Sequence, residues 1–165
     1  DVLVVRKLGC PGFPELGIGA VGEGGVRHIN QALVQRLDLG VEAVEACVRS
    51  ASEAIDARVA RYREGRHAVG YADKTVIVVD DGLASGFTAR AAISVLRDVG
   101  AKQVIVAVPV GPIEALEEVR SVADAVYAIE SPADFYTIGE WYVDFREVTE
   151  EDVERILAEA APLPA

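Results

Sequence analysis

The chain has 165 residues, about half of them apolar (51%), and its 27 acidic against 16 basic side chains leave a formal net charge of −11. That length sets one globular domain over residues 1–165, burying roughly 70% of its unfolded surface, as the expectation. The acidic balance argues against a nucleic-acid partner, since phosphate backbones are held by clustered Lys and Arg; it leaves room for a small anion held by backbone amides, helix N-termini and a few local cations.

In chain order, residues 2–5 form a short β-branched run with the look of a buried parallel strand, and Arg6-Lys7 at its C-terminal end face a crevice. Asp1 opens directly on this run, so the fold is expected to begin in mid-course. Residues 8–25 hold seven glycines with Pro11 and Pro14, a density that predicts turns and a mobile loop. Residues 26–36 alternate weakly and read as a hairpin arm. From Val41, the apolar positions Val44, Val48, Ala51, Ile55 and Tyr62 predict an amphipathic helix to about Arg63, ended by Gly65 and Gly70. Thr75 to Val79, Gln103 to Val108 and Ala125 to Ile129 are β-rich runs separated by helical patterns at 87–99 and 112–122. This order predicts a parallel α/β sheet flanked by helices, with right-handed crossovers. Pro132 and Gly139 break up an aromatic stretch, and Thr149 with Asp152 three residues on marks the start of a last helix.

Between the first of those β-rich runs and its helix lies the segment Val76-Ile-Val-Val-Asp-Asp-Gly-Leu-Ala-Ser-Gly-Phe-Thr88. It places Asp80 and Asp81 at a strand end, followed by a small-residue turn, Ala84, Ser85, Gly86, Phe87 and Thr88, that enters a helix. Such a turn aims amides and the helix dipole at a phosphate, while paired carboxylates suit ribose hydroxyls and a hydrated Mg²⁺. A phosphorylated ribose carrying a metal-bound pyrophosphate combines all three.

The segment resembles the signature of the type I phosphoribosyltransferases, which bind phosphoribosyl pyrophosphate (PRPP), and it departs only at Gly82, where the family has a larger apolar residue. The resemblance implies an α/β, Rossmann-like fold with a flexible loop or hairpin and a small hood. It further implies Mg-dependent transfer of 5-phosphoribosyl from PRPP to an unknown acceptor. Asp80 and Asp81 would hold the ribose and the Mg²⁺ carried by PRPP, and residues 84–88 the 5′-phosphate. Arg6-Lys7, a mobile stretch and Gly22-Glu23-Gly24-Gly25 resemble the orotate-type members, in which the cations neutralise pyrophosphate and the loop closes over the site. No Lys or His stands between Lys7 and Gly22, unlike those members. Phe135, Trp141, Tyr142 and Asp144 resemble, loosely, the base-binding hood of the hypoxanthine-guanine members. A third acidic residue of purine-specific members is replaced by Ala84. The whole chain is most similar to stand-alone bacterial phosphoribosyltransferases carrying Val-Arg-Lys, Gly-Ala-Val-Gly-Glu-Gly-Gly and Trp-Tyr-x-Asp-Phe. Family members begin with a strand and a pyrophosphate loop that do not precede Asp1 here, so both are expected to be missing, leaving a sheet edge that favours a homodimer.

The rival reading is a PRPP or nucleotide sensor without turnover. A phosphoacceptor receiver domain would need a Lys at the end of a later strand, and Lys7, Lys74 and Lys102 do not lie there. A Walker site lacks its Gly-Lys-Ser/Thr, and a serine-hydrolase elbow lacks its Gly-x-Ser-x-Gly spacing. His28 and His67 have no partner at triad or metal spacing, and Cys10 and Cys47 read as reduced thiols. With no run of roughly 18 apolar residues, a cytoplasmic protein with no membrane partner is expected.

Overall fold

The computed structural model describes residues 1–63 and 69–160; Gly65 and His67 fall outside them. The front of the chain differs from the sequence reading. Residues 1–4 have no regular structure, and the first strand, β1 (Val5–Cys10), runs antiparallel to β2 (Phe13–Gly22) rather than inside a parallel sheet. The predicted mobile loop is therefore mostly this hairpin, and β3 (Arg27–Ile29) adds a third antiparallel strand. Glycine density misled because only Gly12, Gly24 and Gly25 turn the chain with positive φ, whereas Gly9, Gly17, Gly19 and Gly22 permit close approach inside the hairpin. A Cβ on Gly19 would lie 2.3 Å from the His28 carbonyl oxygen, one on Gly17 2.4 Å from the Phe87 ring, and one on Gly22 2.6 Å from Val95. Where the rest of a hairpin arm was expected, α1 (Gln31–Arg36) forms instead, because the Asn30 side chain accepts from the Leu33 amide at 3.0 Å and caps it.

The remaining elements follow the sequence pattern. Helix α2 (Val41–Tyr62) buries Val44, Val48, Ala51 and Ile55 against the hairpin. Strands β4 (Thr75–Val79), β5 (Gln103–Val110) and β6 (Ala125–Glu130) form a parallel sheet in the order β4-β5-β6, connected through α3 (Phe87–Asp98) and α4 (Ile113–Arg120). Helix α5 (Glu150–Glu159) starts at the expected Thr149, whose hydroxyl and the Asp152 carboxylate complete a capping box.

Helix α3 sits between the two sheets. Its Ile93 and Leu96 pack with Val104, Val106, Leu116 and Val119, and Val95 reaches Gly22 of the hairpin. Burying side chains of this size contributes ~1.5–3 kcal/mol each, which fixes α3 and the turn preceding it as one rigid body. The opposite face of the parallel sheet is open: Val79 is 74% exposed and Ile129 81%.

Candidate functional site

Strand β4 delivers Asp80 and Asp81 to the carboxyl edge of the parallel sheet, the edge where ligands bind in open α/β folds. The turn after them is pinned at both ends. The Leu83 amide donates to the Val110 carbonyl at 2.9 Å, and the Arg90 amide donates to the Gly86 carbonyl at 3.0 Å as the helix begins. Gly86 caps α3 with φ +67°, a conformation costly for any side chain, and its α-carbon faces α4, where a Cβ would come within 2.9 Å of Val119. The amides of residues 84–88 have no acceptor among the described residues. Ala84, Ser85 and Thr88 are exposed, and the turn lines a concavity of about 200 Å³ together with Asp80, Asp81 and Ile138.

Burial pushes the Asp80 carboxyl above its usual range, against the lowering effect of the Asp81 amide, which donates to Asp80 Oδ1 at 3.0 Å, and with a smaller push from the Asp81 charge. Asp80 as a residue remains exposed, so its carboxyl is crowded by neighbours without being sealed from solvent. Two adjacent carboxylates with one of them desolvated form a site suited to hydroxyl donors or a hydrated divalent cation.

The hood stretch folds onto this turn. A short 3-10 helix (Ile138–Trp141) puts Ile138 where a Cβ on Gly82 would lie 2.9 Å from it. The signature's departure at Gly82 thus makes room for the hood. The Tyr142 hydroxyl donates to the Asp81 carbonyl oxygen at 2.7 Å, and its ring packs on Phe145 with centroids 5.1 Å apart. The Asp144 carboxylate, expected at the edge of a base, is held by Arg146 Nε at 2.9 Å, which lowers its pKa. Phe135 is half-buried, and Trp141 is exposed on the 3-10 helix.

Arg6 and Lys7 lie in β1, paired with Val21 and Ala20, and both are exposed. Val5, adjacent to Arg6, lines the same groove of about 730 Å³ along β4 as Asp80 and Thr88. The element at residues 22–25 turns a corner against the start of the chain. The Glu23 amide donates to the Val4 carbonyl at 3.0 Å, and its carboxylate accepts from Arg63 Nη2 at 2.8 Å. Arg63, which also pairs with Asp1, was missed by the sequence reading because nothing in its spacing links residues 1, 23 and 63. His28 pairs with Ala20 in the hairpin ladder, and Cys10 and Cys47 are free thiols. Among the described residues no group of three or more His, Cys, Asp and Glu is placed to hold a metal, and no helix is long and apolar enough to cross a membrane.

A three-stranded parallel sheet with an acidic pair and a helix-entering turn at its carboxyl edge defines an α/β protein whose ligand crevice lies over the strand ends. The phosphoribosyl transferase domain model matches residues 23–145, and the chain belongs to that family. Two Mycobacterium tuberculosis proteins, from strains CDC 1551/Oshkosh and H37Rv and provisionally named phosphoribosyl transferases, are each 39% identical to it over 160 residues. The match takes in 97% of this chain but only 36% of the length of each relative. The crystal structure of TT1426 from Thermus thermophilus superposes with a TM-score of 0.87 at 41% identity, covering 98% of this chain and 76% of that one.

Proposed function

We propose that this domain binds PRPP and transfers its 5-phosphoribosyl group to an acceptor, releasing pyrophosphate. The observation that carries the reading is the turn at residues 84–88, whose amides lack acceptors among the described residues, set directly after the Asp80-Asp81 pair. Five amides and the N-terminus of α3 suit a 5′-phosphate, and the two carboxylates suit the ribose hydroxyls.

In the transfer, the anomeric carbon exchanges a pyrophosphate oxygen for an acceptor atom, and the bonding pair leaves with pyrophosphate. Asp80 and Asp81 would hold the ribose as it becomes cation-like, and neutralising the leaving pyrophosphate would fall to a cation of β1, Arg6 or Lys7, which as strand neighbours project to opposite faces. Two carboxylates fit a cation that arrives on its substrate with most of its waters, so Mg²⁺ supplies charge neutralisation when bound with PRPP. Ala84 offers no proton acceptor, so general-base chemistry through that position is unavailable. The free thiols fit a cytoplasmic setting.

A second reading, PRPP binding without turnover, is favoured by one observation: the stretch from Lys7 to Gly22 is a hairpin with no Lys or His to close over pyrophosphate. Calorimetric titration of PRPP with Mg²⁺, alongside a pyrophosphate-release assay with free bases, separates the two. Binding is expected to vanish in the Asp80→Asn/Asp81→Asn double variant and on chelation of Mg²⁺. Unchanged affinity in the double variant refutes both readings.

A further inference from the structure

The hood touches the signature turn at two places. Ile138 packs against Gly82, and the Tyr142 hydroxyl reaches the Asp81 carbonyl across 61 positions of sequence. Both contacts fall on a single peptide group, the one joining Asp81 to Gly82. Tilting that peptide turns the Asp81 α-carbon and with it the carboxylate, whereas the amides of residues 84–88 lie beyond Leu83, which is separately anchored to the Val110 carbonyl at 2.9 Å.

We propose that Tyr142 is a positioning residue that ties the hood to the ribose carboxylates: its hydroxyl fixes the peptide between Asp81 and Gly82, and through it the direction of the Asp81 carboxylate, independently of the phosphate turn. The proposal rests on the PRPP reading above. It assigns Tyr142 a different part from base contact, since the hydroxyl is already donated to Asp81 and the ring is packed on Phe145. The 3-10 helix reinforces the tie, because the Tyr142 amide donates to the Gly139 carbonyl at 3.3 Å and so links hydroxyl and helix as one piece. A ligand that shifts the hood is thereby felt at Asp81, which couples acceptor arrival to ribose capture.

The test is calorimetry on the Tyr142→Phe variant with two probes: PRPP with Mg²⁺, which needs carboxylates and turn, and inorganic phosphate, which needs the turn alone. Loss of one hydrogen bond is expected to weaken PRPP by about two- to tenfold and to leave phosphate affinity unchanged. Gly82→Ala crowds the Val110 carbonyl that anchors Leu83, at 3.0 Å, as well as Ile138, so it serves as the contrast in which PRPP and phosphate both weaken. Tyr136→Phe, a change on a side chain 80% exposed, serves as the control without effect. Equal PRPP affinity in wild type and Tyr142→Phe overturns the proposal, as does a parallel fall in PRPP and phosphate binding in that variant, which marks a general loosening. Wild type that binds phosphate but not PRPP overturns the functional reading, and the positioning role with it.

Discussion

Replacing Gly86 by alanine asks two things of the turn at once, and the structure separates them. At φ +67° a side chain costs ~1–2 kcal/mol. The added Cβ would also stand 2.9 Å from Val119 Cγ2 and 3.2 Å from the Ala115 carbonyl oxygen, both in α4. Val119 is fully buried and cannot swing away, so overpacking adds ~1–3 kcal/mol. The sum, about 2–5 kcal/mol, corresponds to a drop in melting temperature of roughly 4–20 °C for a domain of this size. Gly12 supplies the comparison, because it has φ +81° with nothing within 4 Å of an added methyl, so Gly12→Ala bears the strain alone. Scanning calorimetry of both variants is expected to show the larger loss for Gly86→Ala. Equal losses would mean that α4 does not press on the turn before α3, and the rigid-body account of turn and helix would fall.

Other expectations concern stability and assembly. The Asp124 carboxylate accepts from the Val104 amide at 2.6 Å and from Arg97 at 2.7 Å, which lowers its pKa. A depressed folded value gives stability present above the ordinary 3.8 and lost as pH falls through the folded value, so Asp124→Asn should lower the melting temperature at pH 7 and matter less toward pH 3. Strand β4 is an edge strand whose Ile77 is 60% exposed on the open face, so self-association is expected; sedimentation should show Ile77→Lys shifted toward monomer, and an unchanged profile counts against the edge as the contact.

The second half of the fold was legible because each element has one dominant signal: period-2 β-branched runs for the strands, a buried stripe for α3, a capping box for α5. The arrangement of the candidate site was legible for the same reason, since a strand, an acidic pair and a small-residue turn are contiguous in sequence. The hairpin was not, because glycines needed for close contact with His28, Phe87 and Val95 look, in one dimension, like glycines needed for turns. The Tyr142 to Asp81 bond is a long-range contact with no local signature, although Gly82, the one departure in the signature, marks where something else must approach. Arg63 escaped likewise, its partners Asp1 and Glu23 being remote in sequence.

On the PRPP reading, a chain with net charge −11 would have to hold an anionic sugar phosphate by local groups, and Asp80 is where that demand is sharpest. Its carboxyl is raised by burial, which outweighs the lowering hydrogen bond from the Asp81 amide, so its charged form is disfavoured and hydroxyl donors with a cation would relieve it. For an acid with a raised folded value, folding carries no cost from this group below the ordinary 3.8; the cost grows as pH rises through the folded value and is full at neutrality. Asparagine imitates the protonated form and its side-chain oxygen can still accept from the Asp81 amide, which now donates to Asp80 Oδ1 at 3.0 Å. Asp80→Asn is therefore expected to raise the melting temperature of the ligand-free domain at pH 7, with the gain shrinking toward pH 4, where wild type is itself increasingly protonated. Thermal melts of both proteins across that range decide it. A gain of the same size at both ends, or a loss at pH 7, would show that the acidic pair is not strained in the ligand-free domain and that its placement follows packing alone.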